Sequence, residues 1–186
     1  LELPVGAACR LEYAVNGKGE IQVRMDYRPL KDGLQLIPKV GMRMRIPAEY
    51  SQVSWYGRGP HENYPDRKSG YFIGQYSMPL DEFIFDYASP QDNANRCDTR
   101  WFSLGNGSRD IEIHGLQELN FRAWPYGEED LEGSAHPFDI PARDFINVNI
   151  DFKIHGVGGN DGWGARTMDA YTIDPAQPYS FGFIIR

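Results

Sequence analysis

Cysteine is nearly missing. Cys9 and Cys97 are the only two in 186 residues, with no C-x-x-C pair and too few for a disulfide framework. Two buried thiols are expected, because unpaired cysteine behaves as a small hydrophobe; a single bridge between them stays open. Long apolar runs are lacking too. None approaches the roughly 20 residues a helix needs to cross a bilayer, so no membrane span is expected. Basic charge is in deficit: 19 Lys and Arg face 26 Asp and Glu, a formal net charge of −7. Nucleic acid is therefore not an expected partner, since phosphate neutralisation needs a basic face. Leu1-Glu2-Leu3-Pro4 carries neither an initiator Met nor a charged-then-apolar targeting pattern, which reads as a piece of something longer.

Uninterrupted chain is scarce as well. Gly and Pro number 20 and 13, and the longest stretches free of both are residues 91–104 and 142–155. Long helices have little room, because both residues are costly in helix interiors; helix is expected only in short pieces, such as around Glu128 to Leu131. What is present instead is period-two alternation. Ile146, Val148, Ile150, Phe152 and Ile154 alternate with Asn147, Asn149, Asp151 and Lys153, a strand with one dry and one polar face. The same rhythm runs through Ile21–Tyr27, Met42–Ile46, Ile111–Ile113, Leu119–Ala123 and Phe181–Ile185. Asn16-Gly17 between two such runs signals a hairpin. One-sided alternation suits antiparallel sheets packed face to face, so the expected fold is an all-β antiparallel sandwich over residues 1–186 as one domain.

Two segments break the rhythm. Residues 57–70 read GRGPHENYPDRKSG and residues 155–164 read HGVGGNDGWG, both too rich in Gly, Pro, Asn and Asp for a regular ladder. His61, His114, His136 and His155 are scattered, with no H-x-H or H-E-x-x-H spacing, so no metal site is expected. There is no G-x-S-x-G elbow. Gly156-Val157-Gly158-Gly159 follows a strand but opens no helix, which removes the dinucleotide reading. In its loop, Trp163 stands between two glycines without apolar neighbours, a candidate platform for the C–H face of a sugar. Glu62 and Asp66 could be read as a hydrolytic carboxylate pair. The favoured reading is an ion-paired corner, Asp66 with Arg67, fixing a proline-flanked turn.

Gly57-Arg58-Gly59-Pro60-His61-Glu62-Asn63-Tyr64-Pro65-Asp66-Arg67 resembles the G-x-G-P-x-E-N-Y-P-D-R signature in the last domain of the large β-galactosidases of glycoside hydrolase family 2. Pro90-Gln91-Asp92-Asn93-Ala94-Asn95-Arg96 through Thr99-Arg100 is similar to that family's P-[QS]-[ED]-N-x-x-R stretch. Val148–Asp151 with His155–Trp163 resembles its strand-then-G-G-x-D-x-W closing segment, and the three occur in family order. The resemblance implies a supersandwich of galactose-mutarotase-like shape, truncated at its N-terminal side because the family's domain is longer. It implies a galactoside substrate bound through the full-length enzyme, and no catalytic residue in this chain. The two catalytic Glu would lie on a (β/α)₈ barrel domain of the same polypeptide, which typically takes about 250 residues. Substrate contact would come from Trp163, flanked by Asn160 and Asp161. Magnesium and sodium would belong to the parent enzyme outside this domain, and the parent is expected to be a homo-oligomer. An autonomous carbohydrate-binding module and an aldose mutarotase, which would need a His–Glu pair in a concave sheet, are the alternatives.

Overall fold

The computed structural model describes residues 2–3, 6–161 and 163–186. Its strands are β1 (Glu2–Leu3), β2 (Ala7–Val15), β3 (Ile21–Pro29), β4 (Lys39–Pro47), β5 (Gln52–Gly59), β6 (Phe72–Pro79), β7 (Arg96–Gly105), β8 (Asp110–Trp124), β9 (Phe145–Ile154) and β10 (Tyr179–Ile185). The two α-helices among the described residues are short pieces of four and six residues, α1 (Leu80–Phe83) and α2 (Glu128–Gly133). No helix there is long and apolar enough to cross a membrane.

All pairings are antiparallel, and the main path runs β1-β2-β3-β10-β8-β7-β5-β6. Asn16-Gly17 turns β2 into β3 with Val15 opposite Ile21, as the hairpin signal predicts. The sheet branches at β8. Ile113–Gly115 pair with β10, whereas Asn120–Trp124 pair with β9, which carries β4 on its far side. The two branches fold over one another. Phe152 of β9 stacks on Phe181 of β10 at 5.8 Å, and a space between them is lined by Cys9 and Met25 from one branch and Val40 from the other. The result is a β-sandwich that does not close into a barrel.

The alternating residues supply its core. Val23, Val53, Phe102, Leu104, Ile113, Phe121, Val148, Ile150 and Phe183 are buried in one cluster, with Phe102 stacked on Phe121 at 4.1 Å. Leu119–Ala123 and Ile111–Ile113, two separate runs in the sequence, belong to one strand bent at Gly115. A Cβ on Gly115 would lie 2.2 Å from the Gln117 carbonyl oxygen, so only glycine fits the bend.

Two strands depart from the sequence reading. Asn147, Asn149 and Asp151 form the polar side of β9, yet all three are buried, so that strand is enclosed on both faces. Gly57, Arg58 and Gly59 are ladder residues opposite Gly74, Ile73 and Phe72, although their composition reads as loop. Gly57 is there because β7 comes close: a Cβ would sit 2.9 Å from the Thr99 Cα.

Candidate functional site

Past Gly59, a cis Gly59–Pro60 peptide turns the chain out of β5 into the corner. The corner is held by pairs between the first two sequence motifs. The Asn63 N–H donates to the Asn95 carbonyl at 2.8 Å, Asn95 Nδ2 donates back to the Asn63 carbonyl at 2.7 Å, and the Cys97 N–H donates to Asn63 Oδ1 at 2.8 Å. Both asparagines are buried, and these bonds offset most of the cost of polar burial, leaving Asn95 Oδ1 without a partner. The Tyr64 hydroxyl donates to Asp92 Oδ1 at 2.8 Å; burial first, then the charge of Asp92, pushes that hydroxyl far above its ordinary pKa. Glu62 Oε2 accepts from the Ala94 N–H at 2.8 Å, which fixes Ala94 at a left-handed φ of 65°. Cys9 and Cys97 are buried thiols. Burial pushes Cys97 up to about 12, which removes it as a thiolate nucleophile.

The expected Asp66–Arg67 corner is built with other partners. Arg67 pairs with Glu62 at 2.5 Å and donates to the Tyr87 hydroxyl at 3.0 Å. Asp66 instead faces the third motif, accepting from the Gly158 N–H at 2.7 Å and the Val157 N–H at 3.2 Å. A carboxylate receiving two amides is a charge-assisted clamp. Glu62, already bonded by Arg67, Tyr87 and Ala94, and Asp66, bonded by the loop, both act as structural anchors. All three motifs thus converge on one corner.

The clamped loop carries the sequence-predicted site residues. Gly156 is tied by its N–H to the Tyr171 carbonyl and by its own carbonyl to Thr167 Oγ1 at 3.0 Å. Asp161 Oδ1 accepts from the Trp163 N–H at 2.8 Å and the Ala165 N–H at 3.1 Å, and these bonds hold its carboxyl below the usual range. Asp161 therefore shapes the turn that presents Trp163. Asn160 lies exposed beside it, and Gly162 lies outside the described residues. The Trp163 side chain is 95% exposed. Leaving an indole in water forgoes about 2 to 3 kcal/mol of burial.

Sequence reasoning missed a second polar cluster, on β9 and α2. Arg122 is buried, lies 4.4 Å over the Trp124 ring, pairs with Asp92, and reaches Glu128 at 3.1 Å. Glu128 also accepts from Asn149 at 2.7 Å and pairs with Lys39. Burial alone would raise the Glu128 carboxyl, but the bonds from Lys39 and Asn149 outweigh it and hold it at about 2. Asp151 shows the opposite balance: burial pushes it up to about 6, and its Oδ2 has no hydrogen-bond partner. The only signal in the sequence was the unbroken Asn-x-Asn-x-Asp spacing of β9. Among the described residues, no three His, Cys, Asp or Glu side chains converge to hold a metal ion.

The model for the β-galactosidase small chain matches residues 2–185. The chain belongs to that family. A β-galactosidase of Priestia megaterium is 34% identical over 181 residues, covering 97% of this chain and 17% of the relative. One from Halalkalibacterium halodurans is 33% identical over 95% of the chain and 18% of its own length. One from Vibrio cholerae is 34% identical over 91% of the chain and 16% of its own length. The chain thus spans about 17% of the first of these relatives, a small part of a much larger glycoside hydrolase.

Proposed function

We propose that this chain is one sandwich domain of a retaining β-galactosidase, packed on a catalytic barrel elsewhere in the polypeptide. In this reading the domain holds no catalytic residue, and Trp163 lends its indole face to the pocket for a terminal β-D-galactoside. Asp161 holds the backbone from which the ring projects, and Asn160 offers an amide beside it. The exposure of Trp163 carries the reading: a ring 95% in solvent stands on a loop whose backbone is held by Asp66 and Asp161, open to a partner. A held loop backbone matters because less of the chain must be ordered when the sugar stacks on the ring.

In the full-length enzyme, Trp163→Ala is expected to raise KM for nitrophenyl β-galactoside about tenfold. Folding stability should change by no more than about 0.5 kcal/mol, as for other exposed sites. Unchanged kinetics would remove the platform role. The 186-residue chain alone should not turn over the same substrate, and turnover would overturn the division of labour. The mutarotase alternative draws no support from the one close His–Glu pair on β8. His114 Nε2 lies 2.8 Å from Glu112 Oε2, but on the face opposite the core-facing Ile113.

A further inference from the structure

The stretch from Gly156 to Thr167 leaves the sandwich after β9 and comes back to its own start. The Gly156 carbonyl accepts from Thr167 Oγ1 at 3.0 Å, which ties the outgoing leg to the returning one. The Gly156 N–H donates to the Tyr171 carbonyl at 2.8 Å. Asp66 reaches the same junction from the corner, with Oδ2 accepting from the Gly158 N–H and Oδ1 from the Val157 N–H. Gly156 is wedged where the three pieces meet. A Cβ there would lie 2.7 Å from the Asp66 carboxylate and 2.9 Å from Thr167 Cγ2, so the close approach requires glycine.

Asp66 is itself held from both sides. It is the third residue of the turn Tyr64-Pro65-Asp66-Arg67, closed by the Arg67 N–H on the Tyr64 carbonyl at 2.9 Å, with proline where such turns favour it. Tyr64 before it is fully buried, and Arg67 after it is paired with Glu62. The carboxylate is therefore delivered by the corner, not by the loop. Two adjacent N–H groups on one carboxylate make a bidentate contact that fixes direction as well as distance.

We propose that Asp66 is a positioning residue for galactoside binding, acting through Trp163. The inference rests on the platform reading of Trp163 and adds to it the residue that decides where the platform stands. The bonds of Asp66 go to the loop backbone, so its effect reaches the sugar by way of the ring. Thr167 holds the returning leg at the same point. Misplacing a binding group by about 1 Å can cost about 100-fold. Here Asp161 and Thr167 keep part of the loop in place, so an effect of about fivefold is expected from losing the clamp.

The test is a double-mutant cycle in the full-length enzyme with nitrophenyl β-galactoside. Asp66→Ala is expected to raise KM about fivefold and leave kcat within about twofold, because binding is lost while the fold and the chemistry are kept. In a Trp163→Ala background the same change is expected to raise KM no further, since the ring it positions is gone. Asp66→Asn keeps the shape and one acceptor oxygen, and its KM should fall between those of the parent and Asp66→Ala. Thr167→Val frees the Gly156 carbonyl without touching the corner. It should raise KM in the same Trp163-dependent way, which keeps the proposal testable should Asp66→Ala fold poorly. A parental KM in Asp66→Ala, or an equal rise with and without the indole, would overturn the proposal and leave the platform reading standing. A Trp163→Ala enzyme with unchanged KM would overturn the platform reading, and this inference with it.

Discussion

Asp151 is the residue whose replacement should most change how stability depends on pH. Its carboxyl sits on the enclosed side of β9, with an unpartnered Oδ2, and burial lifts its pKa from 3.8 to about 6. Lys39 and Arg122 pull the other way, Glu128 and Asp92 add to the rise, and the sum is upward. Above pH 6 the group is ionised whether the chain is folded or not, so the folded state carries the whole penalty. Two pKa units at about 1.4 kcal/mol each make that about 3 kcal/mol. As the pH falls from 6 toward 4, the folded chain binds a proton that the unfolded chain does not, and stability rises. Below 3.8 both states are protonated and the penalty is gone.

Asp151→Asn keeps the shape and removes the charge. It is expected to stabilise the protein by about 2 to 3 kcal/mol at pH 7 and by nothing near pH 3.5. In urea this is a midpoint shift of about 1 M at the higher pH. Because only the difference between the two proteins is read, the titration of the other carboxylates cancels. An Asn variant that is equal or weaker at pH 7 would show that Lys39 and Arg122 fully compensate the anion. A gap that persists in acid would point to packing rather than charge.

Three further outcomes follow from the same contacts. Asp66→Ala removes both acceptors that clamp Gly158 and Val157, so amide exchange across residues 156–161 should accelerate by about tenfold or more while the global melting temperature moves little; unchanged exchange would refute the clamp. Glu128→Gln should cost about 1 to 2 kcal/mol at pH 7, because a carboxyl held at about 2 contributes stability that is fully present above its ordinary 4.5 and is lost as the pH falls to the folded value; the gap between the two proteins should therefore narrow as the pH falls from 4.5 toward 2 in chemical denaturation. Phe121→Ala, which opens a hole among Phe102, Phe83 and Trp55, should cost about 3 to 5 kcal/mol in the same assay.

The all-β sandwich was legible because alternation is a backbone property: Val23, Met25 and Tyr27 point one way whatever surrounds them. The covering of the other face was not legible. Asn147, Asn149 and Asp151 have the composition of a solvated face, and only the arrival of Arg122, Lys39 and α2 encloses them. The corner shows the same limit. Proline and adjacent opposite charges mark residues 57–70 as a fixed turn, but Asp66 and Arg67 are sequence neighbours with different partners. Partner choice depends on how β7 and the 155–164 loop are brought alongside, which local spacing does not encode. Trp163 stood out because a large ring between two glycines has nothing nearby to bury it.

The bend at Gly115 lets one strand serve both branches of the sheet, and this bears on how the molecule comes apart. The two branches share one strand: β10 pairs with its first part and β9 with its last, and β7 runs along both parts from Gly105 to Arg96. Unfolding is therefore expected as a single cooperative event, with β8 among its slowest-exchanging strands.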